Sequence, residues 1–323
     1  MKFTRRAALA APALLLATRA GAQGGFPNRA VRMIVPYTPG GVSDITARLI
    51  ADPLAATWGH PVPVENRAGA GGVVGADAVA KAAPDGYTLL LGSNGPLTNA
   101  PVLQARLPYD LEKDFAAIAM ISRSPVTLSV RADSPFRNLA DLLAAARAKP
   151  GDLSIGSSGQ GSATHFLIEQ VMAAAGIRLT HVPYRGGAPL TTALVQNEVQ
   201  VGLADLPILL PQIRAGTIRA LAVGSAQRLP WLPDVPTMIE LGYPSVDTNN
   251  WHGFVAPSRI PEPILERLHG ALAGALKDPE ISRQLFDQGA VPGGNSRAEF
   301  GEFIKAEMAK WGEVIRRGNI RAD

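Results

Sequence analysis

The chain has 323 residues and no cysteine, and its 31 basic and 27 acidic residues give a formal charge of +4 and a pI near 9.5. The absence of cysteine excludes disulfides, cysteine-bound zinc and a lipid anchor on an N-terminal cysteine. Hydrophobic residues make up 46% of the chain and charged residues 18%, which is typical of a globular protein with a large core.

Residues 1–22 have the features of a cleavable export signal. Lys2, Arg5 and Arg6 form a basic start, an apolar run follows over 7–18, and the segment ends in Ala20-Gly21-Ala22, a small-x-small cleavage pattern. The run is far shorter than the roughly 20 residues of a membrane-spanning helix. Arg5 and Arg6 also resemble a twin-arginine signal, so both export routes stay open. We expect a periplasmic protein without a membrane anchor.

The signal also accounts for the excess of positive charge. It contains four of the 31 basic residues and no acidic one, which leaves 27 basic and 27 acidic residues in the mature protein. A basic chain would indicate a nucleic-acid partner, but a neutral one does not. We therefore expect no nucleic-acid partner. We also expect the protein to work as a monomer.

Beyond the signal, short β-branched runs alternate with Ala- and Leu-rich segments, a pattern typical of an α/β protein with mainly parallel sheets. The predicted strands are 31–35, 88–91, 126–130, 153–156, 178–182, 199–203 and 219–223. The predicted helices are 44–58, 72–82, 138–148, 163–175 and 189–197, and the apolar spacing over 261–317 predicts two more.

Two loop motifs occur twice, which indicates two similar lobes. VPYTPGG at 35–41 is echoed by VPYRGG at 182–187, and GSNG at 92–95 by GSSG at 156–159. Each motif follows a predicted strand, and in open α/β sheets ligands bind beyond the carboxyl ends of strands. Extended segments near 123–126 and 250–257 are the expected crossings. We expect one domain of residues 23–124 plus 251–323, a second of residues 125–250, and a ligand cleft between them.

The sequence lacks the usual motifs of catalysis and cofactor binding. The five histidines show no metal-ligand spacing, Gln160 stands where a Gly-x-Ser-x-Gly motif around Ser158 requires glycine, and GAGGVVG at 69–75 falls short of a dinucleotide fingerprint. Ser162 and His165 lie three residues apart at a predicted helix start, so a secreted hydrolase is the rival hypothesis. A helix-capping role for Ser162 fits the same spacing. We expect no cofactor and binding without catalysis.

The loops instead offer anion binding, because glycine-rich turns before helices present free backbone N–H groups at the positive end of the helix dipole. Asp44 fits a first-turn acid paired with Arg48 as well as a ligand contact. Arg185 fits a contact to a second anion or a solvated surface position. Asp205 fits an acceptor for a ligand amine or hydroxyl, or a cap of the next turn.

Several segments together resemble the solute-binding receptors of tripartite tricarboxylate transporters, the Bug-type family. They lie, in the family's order, at 35–49, 64–93, 156–166, 182–199, 232–244 and 251–257, and they span nearly all of the mature chain. The resemblance implies a type II, flytrap-like periplasmic binding protein that closes on a small carboxylate and delivers it to a membrane permease. A receptor that informs a signalling partner would have the same sequence features.

The resemblance also implies site residues. In that family, loops corresponding to 37–44 hold one carboxylate through backbone amides and waters, and the segment corresponding to 157–165 holds the other end of the ligand. A lysine often stands where this chain has Arg185, which leaves the identity of the acid open. The predicted ligand-binding residues are Tyr37, Thr38, Pro39, Gly40, Gly41, Ser43, Asp44, Ser93, Asn94, Ser157, Ser158, Thr164, His165, Arg185, Gly186 and Asp205.

Overall fold

The computed structural model describes residues 25–104, 106–247 and 249–318, so the export signal predicted for residues 1–22 lies outside the described part of the chain. The strands are β1 (Arg32–Val35), β2 (Val64–Asn66), β3 (Thr88–Ser93), β4 (Phe115–Arg131), β5 (Ser154–Ser157), β6 (Thr180–Pro183), β7 (Val201–Asp205), β8 (Ile218–Val223), β9 (Asn249–Pro257) and β10 (Val291–Pro292).

The helices are α1 (Val42–Trp58), α2 (Val73–Ala80), α3 (Ala100–Leu103), α4 (Leu111–Asp114), α5 (Leu139–Ala148), α6 (Ala163–Ala175), α7 (Gly187–Val195), α8 (Leu206–Arg214), α9 (Glu262–Lys277), α10 (Pro279–Asp287) and α11 (Arg297–Gly318). A 3₁₀ turn at Ala70–Gly72 and a π-helical turn at Gly95–Asn99 complete the regular structure. Within the described residues, no helix is long and apolar enough to cross a membrane.

The 17-residue strand β4 belongs to both halves of the sheet. Up to Pro125 it pairs antiparallel with β9, and from Val126 onward it pairs antiparallel with β7 and β8. The first half continues through β9 to β3, β1 and β2, with β10 on the other side of β4. The second half continues through β7 to β5 and β6. The α/β class is confirmed, with antiparallel strands at the centre of a mixed sheet.

The first half of the sheet is covered by helices on both faces. Successive side chains of a strand point to opposite faces, and Met33 and Val35 of β1 accordingly join the buried cluster that contains residues of α1 and α9. Ile34, between them, joins the cluster that contains residues of α2 and α11. The second half has a large cluster of its own, formed by strands β4, β5 and β7 with α5 and α6. Each half of the sheet therefore has its own hydrophobic core.

Three parts of the sequence-based prediction differ from the structure. The strand predicted at 126–130 is the second part of β4, which begins at Phe115. Strands β2 and β10 and helices α3, α4 and α8 were not predicted. Both helices predicted in the tail are present, as α9 and α11, but an additional helix, α10, begins between them at Pro279. Asp278 caps the new helix by accepting from the Glu280 N–H at 2.8 Å, and proline is favoured at a first helical position.

The tail helix α11 is an integral part of the first half. Phe300 is fully buried and meets the Trp251 ring of β9 edge to face, with ring centroids 5.6 Å apart. Gly253 of β9 lies so close to the Phe300 ring that a Cβ atom at Gly253 would overlap it. Further along α11, the buried Trp311 packs against Phe166 of α6, so α11 also contacts the second half.

Phe300→Ala tests the contribution of α11 to the core. Loss of a fully buried aromatic ring costs about 3–5 kcal/mol, because the cavity closes only in part. We expect the free energy of unfolding to fall by that amount, which a urea titration followed by circular dichroism shows as a lower midpoint. Glu302→Ala in the same helix, where the side chain is 74% exposed, should leave the midpoint nearly unchanged. Equal effects of the two variants would show that α11 does not pack on β9 in solution.

Candidate functional site

A small cavity lies between the two halves of the sheet, beyond the carboxyl ends of β1, β5, β6 and β7. It encloses about 30 Å³, which holds only one or two water molecules. Both halves contribute to its lining, which consists of Tyr37, Gly41, Val42, Ser43, Ser158, Ser162, Ala163, Thr164, Gly186, Gly187, Asp205 and Asn250. Side chains of Lys, Arg and His are absent from this lining, within the part of the chain that the structure describes.

Two helices direct uncapped N-termini at the cavity, one from each half. Helix α1 begins after Gly41 and helix α7 after Gly186, and neither glycine can supply the side-chain oxygen that usually caps a helix. The first N–H groups of any helix have no intrahelical partner, and in these two helices no capping side chain accepts from them either. Gly186 has a φ of 140°, and a Cβ atom there would lie 2.8 Å from Thr38 Oγ1 of the other half. Glycine thus permits both the turn and the close approach.

A third helix, α6, begins at the cavity with a network of hydroxyl groups. Ser162 caps the helix by accepting from the His165 backbone N–H at 3.2 Å, and its Oγ lies 2.9 Å from Thr164 Oγ1. Thr164 Oγ1 accepts from the Ser158 N–H at 2.9 Å. The Ser158 hydroxyl is buried and has no hydrogen-bond partner among the described residues. It is therefore available to a bound molecule.

Ser162 and His165 do not form a catalytic pair. Ser162 Oγ is bonded to the backbone of His165, whereas Nδ1 of the His165 ring accepts from the Gly161 N–H at 3.1 Å and Nε2 lies 3.7 Å from Glu169. The ring stacks on His181 with centroids 4.3 Å apart. Burial, and then the neighbouring His181, lower the pKa of His165 to about 4. This geometry favours the capping role over the hydrolase hypothesis.

Asp205 lies at the end of β7 and lines the same cavity. It is 8% exposed, its Oδ2 accepts from Asn250 Nδ2 at 3.1 Å, and its Oδ1 has no hydrogen-bond partner in the described chain. Burial raises the pKa of Asp205 to about 7, and the Asn250 hydrogen bond offsets part of this effect. Asp205 is also the N-cap residue of α8, yet its side chain makes no cap hydrogen bond.

Asp44 is tied to the protein rather than exposed to the cavity. Its carboxylate accepts from the Gly40 N–H at 3.0 Å, from Arg48 Nε at 3.1 Å and from Asn66 Nδ2 at 3.0 Å. Burial alone would raise the pKa of Asp44, but the hydrogen bonds from Arg48, Gly40 and Asn66 outweigh it and lower the pKa. The carboxylate thereby fixes the loop that precedes α1.

Contacts between the two halves surround the cavity. Thr38 Oγ1 donates to the Arg185 carbonyl at 2.9 Å, and Asn99 Nδ2 donates to the Gly161 carbonyl at 3.3 Å. Outside them lies a groove of about 460 Å³ that shares Tyr37 and Ser158 with the cavity. Its other lining residues are Thr38, Ala68, Gly69, Ala70, Gly71, Gly72, Gly159, Gln160, Pro183, Tyr184 and Arg185. The cavity and the groove together form the candidate site.

The predicted site residues fall into three groups. Tyr37, Gly41, Ser43, Ser158, Thr164, Gly186 and Asp205 line the cavity, and Thr38 and Arg185 join the groove. Asp44, Ser93, Asn94, Ser157 and His165 lie buried behind these loops, where Asn94 accepts from the Trp251 N–H and Ser157 Oγ lies 2.7 Å from His181 Nε2. Pro39 and Gly40 are exposed at the loop surface and line neither space.

Asn250 and the turn at Gly69–Gly72 were not among the predicted site residues. Asn250 stands at the start of an extended segment that was predicted to cross between the lobes, and that position was the available signal. The only sequence signal of the glycine-rich turn is its partial match to a dinucleotide motif. Among the described residues, no cluster of three or more His, Asp or Glu side chains could hold a metal ion.

A small cavity between two halves of a curled mixed sheet, bounded by helix N-termini, is the arrangement of a solute-binding protein of the periplasmic type. The chain belongs to the tripartite tricarboxylate transporter receptors, since the model of the "Tripartite tricarboxylate transporter family receptor" matches residues 46–320. The family resemblance drawn from the sequence motifs is thereby confirmed.

Relatives and solved structures agree with this family. Protein BugT of Bordetella pertussis is 36% identical over 292 residues, which are 90% of each chain. The structure of R. palustris Rpa4515 with adipate has a TM-score of 0.89 at 35% identity and covers 92% of this chain and 99% of that one. MatC of Rhodopseudomonas palustris with bound malate has a TM-score of 0.86 at 32% identity, covering 90% and 100%.

Asp44→Asn tests how far this carboxylate holds the α1 loop. A depressed pKa stabilises the folded state above the unfolded-state pKa of about 4, so we expect a loss of about 1–3 kcal/mol at pH 7. The difference from wild type should shrink as the pH falls below 4, where Asp44 of the wild type takes up its proton. Urea titrations from pH 7 to pH 3 measure it, with exposed Asp52→Asn in the same helix as control. A stability difference between variant and wild type that does not depend on pH would contradict the stabilising role of the ionised Asp44 carboxylate.

Proposed function

We propose that the chain captures a small carboxylate between its two halves and delivers it to a membrane permease. The main support is the convergence of the N-termini of α1 and α7 on one cavity without capping side chains. Unpaired N–H groups at the positive end of the helix dipole bind anions well without a basic side chain. The adipate in Rpa4515 and the malate in MatC are consistent with this ligand class.

We also propose that the halves move as two lobes, one of residues 23–124 plus 251–323 and one of residues 125–250. The change of partner along β4 after Pro125 supports this boundary, as does the separate hydrophobic core of each half. Asn249 and Asn250 pair with Pro125 and Ser124, so both crossing strands change halves at the same level. Two short crossing segments side by side make a hinge.

Binding requires this hinge to open. Pockets for small molecules typically have volumes of about 300–1,000 Å³, and the cavity of about 30 Å³ is too small for an organic acid. The contacts of Thr38 with Arg185 and of Asn99 with Gly161 must separate before the acid enters. Around the acid the halves close less far than in this structure, and that liganded form gains contacts from both lobes, so ligand shifts the population towards it.

The mature protein acts in the periplasm as a monomer in this proposal. The export signal predicted for residues 1–22 supports this location. The receptor family supports the permease as partner. Arg185 borders the groove, where its guanidinium would contact a second carboxylate in a bidentate manner. We therefore expect dicarboxylates to bind more tightly than matched monocarboxylates.

A panel of organic acids tests the proposal. Adipate, malate, succinate, nicotinate and aspartate, with neutral amides of the same length as controls, are added to the mature protein. An acid at a hundredfold excess over its Kd stabilises the folded state by about 2.7 kcal/mol, and we expect its melting temperature to rise by several degrees. No shift with any acid, or equal shifts with the amides, would overturn carboxylate capture.

Ser158→Ala tests the cavity as the binding site. The Ser158 hydroxyl has no partner in the described protein, so its removal should leave folding stability unchanged. Affinity for the best acid of the panel should fall about tenfold, which corresponds to one hydrogen bond of about 1.4 kcal/mol to a charged group. Calorimetric titration measures it, with exposed Ser245→Ala as the matched control. Wild-type affinity in Ser158→Ala would place the acid elsewhere.

A further inference from the structure

We propose that Asp205 binds the ligand as a neutral carboxylic acid that donates a hydrogen bond to it, so that capture of a carboxylate is coupled to the uptake of one proton by this residue. The inference rests on the proposed function and names the side chain that sets the protonation requirement of the site. It follows from the partners of Asp205, from its burial and from the charge of the cavity.

The Asp205 carboxyl group is not used for the structural purpose that its position suggests. Aspartate at an N-cap usually accepts from the N–H of the second or third helical residue. Here the second residue is Pro207, which has no N–H, and the side chain makes no cap bond. It turns instead towards Asn250 and the cavity, with Oδ1 left unpartnered in the described chain. A buried carboxyl oxygen without a partner is costly unless a bound molecule supplies one.

With an anionic ligand bound between the helix N-termini, the cavity favours the neutral form of this carboxyl group. A buried carboxylate requires an opposite charge or several donors, but Asp205 forms no ion pair among the described residues and receives the Asn250 amide alone. The N-termini of α1 and α7 attract an anionic ligand to the same cavity. A second negative charge on Asp205 would oppose that ligand at low dielectric. A protonated Asp205 removes the repulsion and provides an O–H donor for the ligand oxygen.

Several of the groups around Asp205 have pKa values far from neutral pH. The charged or titratable side chains near the cavity include Tyr37, Asp44, Arg123, His165, Arg185 and His252. Two more lie behind His165: His181, whose pKa burial lowers to about 4, and Glu169, whose pKa burial raises. Burial raises the pKa of Tyr37 to about 12 and lowers those of His165 and His252 to about 4. The pKa of Asp44 is lowered by its hydrogen bonds. Burial raises the pKa of Asp205 itself to about 7.

The sign of the coupling follows from linkage. The ligand binds the protonated form, so it raises the proton affinity of Asp205, and a proton raises ligand affinity by the same factor. The affinity should be constant below the pKa of Asp205 in the free protein. Above it the affinity should fall by up to tenfold per pH unit. Adipate is a suitable probe because both of its carboxylates are almost fully ionised from about pH 7 upward, so its own charge changes little where the affinity is expected to fall.

Calorimetric titration of the mature protein with adipate tests the proposal, or with the panel acid of largest thermal shift if adipate does not bind. Titrations at pH 6.0, 7.0, 8.0 and 8.5, each in two buffers of different ionisation enthalpy, give the Kd and the protons taken up. We expect close to one proton per ligand at pH 8.5 and little at pH 6.0. Uptake near zero at every pH would overturn the proposal without any variant.

Asp205→Asn adds an independent arm, because the amide keeps the shape and a donor but cannot ionise. We expect a Kd within a fewfold of wild type at pH 6.0 and no dependence on pH up to 8.5. Exposed Asp152→Asn, at the opposite end of β5, should retain the wild-type pH profile. Loss of binding in Asp205→Asn, with a wild-type Kd that does not vary with pH, would show an ionised acceptor for a ligand ammonium or hydroxyl group. Wild-type protein that binds no acid overturns the proposed function together with this inference.

Discussion

The pairing of β4 is the constraint on which the rest of the molecule depends. One continuous strand hydrogen-bonds to β9 in the first half of the sheet and to β7 and β8 in the second. The carboxyl ends of β1, β5, β6 and β7 therefore meet at one place, and the loops that leave them carry helices whose N-termini converge. Asn250 stands at this junction and contacts Asp205, so the floor of the cavity is made by the crossing strands themselves.

The cavity separates two electrostatic functions that a basic side chain would combine. The N-termini of α1 and α7 attract an anion through partial charges that cannot titrate. In the proposal above, the protonation state of Asp205 then controls how tightly the anion binds. A lysine or arginine in the cavity would form an ion pair with Asp205 and keep it ionised. The absence of such a side chain from the lining is therefore as important to the site as the groups that are present.

Much of this architecture could be predicted from the sequence, because the buried parallel strands and the glycine-rich loops have strong local signals. The first part of β4 could not, since its Ala- and Ser-containing run from Phe115 lacks both the β-branched density and the alternation of a typical strand. The paired motifs contain Tyr37 and Gly186, which line one cavity in the structure. They could not show that the Asp44 carboxylate is hydrogen-bonded to Gly40, Arg48 and Asn66, because the direction of a side chain near a loop depends on tertiary contacts.

Pro207 has a consequence for how the site can vary among related chains. An N–H at that position would offer the Asp205 carboxylate a further cap donor, in competition with Asn250. The competing partner would favour the ionised acid and withdraw its oxygen from the cavity. Pro207 therefore leaves the Asp205 side chain free to turn towards the cavity. A residue with an N–H at 207 would alter solute preference by competing for this side chain, without contacting the solute itself.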